Sequence, residues 1–174
     1  MTAGERKLCR DLIVAPPHGA RQISKEEFLR RFPSSVEQGR VALSLLEEAY
    51  RTENAEDLQC ALTIGAAFGF GPEHTDVLCR LLEADWHFSH EDVVSALDEL
   101  RNPAAVRALF HATQWIPEYL NFDESRALAD KAIWALGKIT GSDVDRKLEA
   151  LTLSDDPILR EKAADQLKRR HNAA

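Results

Sequence analysis

The stretch that decides the fold is DKAIWALGKITGSDVDRKLEAL, residues 130–151. Its first half repeats apolar residues at Ala132, Ile133, Leu136 and Ile139, the spacing of one buried helix face. Ser142 then opens a second helix, in which Leu148 and Leu151 carry the stripe onward. Two helices joined by a short turn are therefore written into these residues.

The same period and the same turn signals run outward from this stretch. Helices are expected over 36–51, 55–68, 72–84, 90–101, 103–114, 124–139, 143–152 and 157–170. A weaker one is expected over 23–32, opened by Ser24 with Glu27 three residues later and closed by Pro33. Nothing alternates as a strand would. Pro72, Pro103 and Ser142 each open a helix, and superimposing them aligns Leu78 with Leu109 and Leu148, then Leu81 with Ala112 and Leu151. The preceding helices follow: Val93 aligns with Ala132 and Ala163, Val94 with Ile133 and Ala164, and Leu97 with Leu136 and Leu167. The spacings are 31 and 39 residues, so the unit is a helix pair of 31 residues with eight more in one copy. One pair alone cannot bury its stripe, whereas stacked pairs bury it against each other. The expected fold is all-α, an α-solenoid of about four antiparallel helix pairs. It spans residues 36–174, with residues 1–35 as a non-repeat N-terminal arm or cap.

In this pattern the chain resembles the HEAT repeat family, particularly its short bacterial form, the HEAT-like repeats of phycobilin lyases. Residues 130–151 and DPILREKAADQLKRR, residues 156–170, carry the resemblance, which extends over about residues 55–170. It implies a fold and leaves the activity open.

Charge narrows the partners. The net charge is −7, but the distribution is uneven. Residues 32–157 carry ten Lys/Arg against twenty-three Asp/Glu, while both ends are basic. An acidic body lacks the clustered cations that hold nucleic acid and suits a basic protein partner. No apolar run approaches the roughly 18 residues of a membrane span, and the N-terminus has no signal-peptide pattern. Cys9, Cys60 and Cys79 form no paired motif, as expected of reduced thiols in the cytoplasm.

DWHFSHEDVV, residues 85–94, holds the types of side chain that bind metals. One HEAT-like family, the deoxyhypusine hydroxylases, holds iron with His-Glu dipeptides repeated at equivalent helix starts. Here His90-Glu91 stands alone: its repeat equivalents are Gln59-Cys60, Ala129-Asp130 and Arg160-Glu161. Ser89 with Asp92 three later instead has the spacing of a capping box, with Phe88 placed to staple onto the first turn. No Gly-rich phosphate loop, nucleophile elbow or HExxH occurs.

Two features stand outside the repeat. The eight added residues fall around QWIPEYLNFDESR, residues 114–126, which sets Trp115, Tyr119 and Phe122 beside Glu118, Asp123 and Glu124. Insertions in repeats commonly extend a binding face. Trp134 lies off the buried stripe of its helix, beside Asp130, where its repeat equivalents are Ser95 and Asp165. With Glu91, Ser95, Asp98 and Glu99 it marks an acidic concave surface carrying one aromatic. The expected function is non-catalytic binding of a basic protein by that surface and the insertion, as an adaptor or as an immunity protein neutralising a toxin. No cofactor is expected. Two alternatives stand beside it: a metal-dependent enzyme using His87, His90 and Glu91, and, from the resemblance to phycobilin lyases, a tetrapyrrole-binding chaperone.

Overall fold

The computed structural model describes residues 1–13, 23–32 and 38–173. The expected stop at Pro33 and start at residue 36 lie outside them. Among the described residues all regular structure is helical and no strand occurs. The helices are α1 (Ala3–Leu12), α2 (Lys25–Arg31), α3 (Gln38–Thr52), α4 (Ala55–Phe68), α5 (Thr75–Leu82), α6 (His90–Leu100), α7 (Val106–Gln114), α8 (Ala127–Lys138), α9 (Ser142–Leu151) and α10 (Pro157–Ala173). None is long and apolar enough to cross a membrane.

Local chemistry explains most of the boundaries. The Asn54 side chain accepts the Asp57 N–H at 2.9 Å and starts α4. Gly69 ends it at φ 99°, a conformation that costs a glycine little and other residues much. Pro72 and Pro103 each open a single 3-10 turn that runs into α5 and α7, so both long expected helices begin with a tighter turn. The helix expected from residue 124 starts at Ala127 instead. The Asp123 carboxylate accepts the Ala127 N–H at 2.7 Å and both the N–H and the hydroxyl of Ser125, holding residues 123–126 in a turn that caps α8 from outside.

Sequence-adjacent helices pack as pairs: α3 on α4, α5 on α6, α7 on α8 and α9 on α10. Across pairs, α4 touches α6, α6 touches α8, and α8 touches α10, while α3, α5 and α7 follow one another on the other side. One apolar core runs through these contacts from Leu46 in α3 to Ala163 in α10. Positions that align in sequence are buried alike: Leu78, Leu109 and Leu148 are all wholly inaccessible, as are Val93, Ala132 and Ala163. The likeness fails only in α10, where Ala164 is exposed and Leu167 half-buried. No described helix packs beyond α10, so that side of it keeps its solvent.

A second core lies at the other end. α1 begins with a reciprocal capping box between Thr2 and Glu5 and packs on α4. It contributes Leu8, Cys9 and Leu12 to a cluster with Phe28, Phe32, Cys60 and Ile64. Phe28 is nearly inaccessible, stacked on Phe32 at 4.9 Å and tilted against Phe68 at 5.8 Å. Asp57, buried at the first turn of α4, receives the Met1 ammonium at 2.7 Å and Arg6 at 2.7 Å. Burial opposes ionisation of that carboxyl, but the two cations outweigh it and lower its pKa. Residues 1–13 and 23–32 thus share a core with α3 and α4.

Candidate functional site

A helix leaves its last carbonyls short of partners, and two histidines reach the end of α5 and the turn after it, where the Leu81 carbonyl also accepts the Ala84 N–H. His87 Nε2 stands 2.8 Å from the Leu81 carbonyl, and His90 Nε2 stands 2.7 Å from that of Ala84. The other ring nitrogens are also engaged. The Ser89 N–H donates to His87 Nδ1 at 3.1 Å, and the Tyr119 hydroxyl meets His90 Nδ1 at 3.0 Å. An accepting Nδ1 puts the proton on Nε2, where each ring donates to a helix-end carbonyl in the neutral form. The rings stack at 4.1 Å and both residues are wholly buried. Burial first, then the neighbouring His90, lowers the His87 pKa to about 4 despite its bond to Leu81. Burial also lowers that of His90.

This geometry changes the reading of residues 85–94 in two ways. All four imidazole nitrogens carry hydrogen bonds, so a metal would have to displace helix caps to reach them. Glu91 turns away to Lys131 at 2.8 Å. No group of three or more His, Cys, Asp or Glu side chains converges among the described residues. The expected capping box is also absent. The Ser89 side chain makes no cap bond, because the residue is buried with its N–H directed at His87. Phe88 is 70% exposed and lays its ring against Tyr119 at 5.2 Å, so it is no staple on α6.

The insertion joins this cluster. Trp115 meets His90 edge-on at 5.1 Å and stacks on His111 at 5.7 Å, while Tyr119 stacks on His90 at 5.6 Å. Trp86 closes the far side against His87 at 4.9 Å. Trp115 and Tyr119 are therefore structural in part, joining one helix pair to the next. Asp123 is engaged in capping, and its bonds to Ser125 and Ala127 lower its pKa. Phe122 is 81% exposed, and Glu118 and Glu124 face solvent.

Along α6, α8 and α10 the expected acidic residues meet lysines of the next helix. Glu91 pairs with Lys131, Asp98 with Lys138 at 2.5 Å, and Asp130 with Lys162 at 3.0 Å. Ser95 donates to the Glu91 carbonyl at 2.9 Å within its own helix. Trp134 is 41% exposed and lies between cations, with Lys138 Nζ 5.2 Å and the Arg169 guanidinium 4.8 Å from its ring. This part of the surface is charge-balanced, and its tryptophan is already stacked.

Negative charge remains uncompensated between α4 and α6. A groove of about 340 Å³ opens there, lined by the apolar Leu62, Ala66, Phe70 and Ala96 and by Leu12 and Ile13 from the first helical segment. Asp92, Ser95 and Glu99 of α6 form one wall; Gln59 and Thr63 of α4 face them. Among the described residues no lysine or arginine lines it, and neither Asp92 nor Glu99 is ion-paired. Phe70 is held in place by Gly65, since its ring fills the space that a Cβ would take. The groove is not legible in the sequence, because the helix that contributes Leu12 to it stands outside the repeat. The Thr2–Glu5 spacing was the available signal. The chain matches no known family model, no curated protein and no solved structure.

Proposed function

We propose that the chain is a non-catalytic interaction module, a HEAT-like stack of helix pairs that binds a basic partner protein, as an adaptor or as an immunity protein against a basic toxin. The order of helix contacts and the matched burial of aligned leucines support the stacked architecture, with residues 1–35 as its cap. The observation that carries the binding reading is the α4–α6 groove, whose described lining is apolar side chains and unpaired carboxylates with no cation among them. Such a surface attracts cationic partners over distance and rewards apolar contact on arrival.

The test compares the wild-type protein with the Asp92→Lys/Glu99→Lys variant as baits, identifying captured proteins by mass spectrometry. A captured protein of basic charge that is lost on charge reversal and at raised salt supports the reading. A captured set unchanged by the reversal sinks it.

A further inference from the structure

We propose that the α4–α6 groove seats an amphipathic helix of the partner, with lysine or arginine seven residues apart and apolar residues between them. The inference rests on the binding reading above and specifies the form of what binds. Asp92 and Glu99 lie seven residues apart on α6, two turns and about 10.5 Å along the axis. A helix lying along the groove repeats on one face with the same period: its residues i and i+7 reach the two carboxylates. Residues i+3 and i+4 fall between them on that face, over Ala66, Ala96 and Leu62. Small residues in the lining let a third helix approach to ordinary packing distance. Charge settles the polarity of the occupant. On α6 itself Glu91 and Asp98 are each bridged to lysine, leaving Asp92 and Glu99 as the helix's two carboxylates without an ion-pair partner among the described residues.

Synthetic peptides of about 15 residues, long enough to form a helix on binding, test this by fluorescence anisotropy and circular dichroism. One carries arginine at i and i+7 with leucine at i+3 and i+4; the other has the same composition in scrambled order. The patterned peptide is expected to bind about ten-fold more tightly than the scramble and to gain helicity. It is expected to lose about ten-fold on Asp92→Asn/Glu99→Gln, while Glu149→Gln, on the exposed side of α9, changes nothing. Equal binding of both peptides, lost in the double variant, overturns the helical partner and leaves the basic-partner reading standing. No binding of either peptide at low salt, or binding indifferent to the double variant, overturns both. Self-association of the protein that the double variant abolishes assigns the groove to a second copy and likewise overturns the proposal.

Discussion

His90 shows how one residue can carry a metal-site signature and do structural work. It holds the turn after α5 through the Ala84 carbonyl, accepts from Tyr119, and stacks between His87 and the insertion. Removing it leaves a carbonyl without its partner and a cavity beneath Trp115, so His90→Ala should cost about 2–4 kcal/mol. Phe122→Ala, at an exposed ring, should stay within about 0.5 kcal/mol. Urea denaturation of both variants checks the contrast, and equal effects would contradict it. The same histidines make stability depend on pH. Both are held neutral in the folded state, with pKa values below the ordinary 6.5. The unfolded chain therefore binds protons first as pH falls, and stability drops from about pH 6.5 down to about 4, where folded His87 titrates as well. The loss should be of order 3 kcal/mol and should shrink in His87→Gln, followed by thermal melting across that range.

At the scale of elements, much was legible. α4 spans the residues read from periodicity alone, and α3 and α5 to α10 each fall within their expected segments to a few residues. Apolar stripes at helical spacing are local signals, and here the core obeys them. The histidine caps were not legible, since the carbonyls they satisfy belong to a different helix and nothing in SHED announces them. The ion pairs between α6, α8 and α10 were hidden for the same reason: the sequence displays Glu91, Asp98 and Asp130 as acidic, and only packing brings lysines to them. α1 was legible in principle, with a capping box followed by Leu8, Cys9 and Leu12 on one face. Its burial predicts that Leu12→Ala lowers stability by about 2–5 kcal/mol. A detached arm would give almost no change in a denaturation midpoint.

For the molecule as a whole, net charge points to a basic partner but not to the place where it sits. An acidic composition spreads over every face, and the pairing of carboxylates with lysines decides which of them act outward. That pairing directs attention away from Trp134, stacked between Lys138 and Arg169, toward the groove that α1 helps to line. The most direct measurement is amide hydrogen exchange on the protein with and without the patterned basic peptide. Binding in the groove predicts slowed exchange within residues 59–70 and 92–99 and none around 115–126. Protection confined to the insertion, or to α8 and α10 around Trp134, would contradict the account.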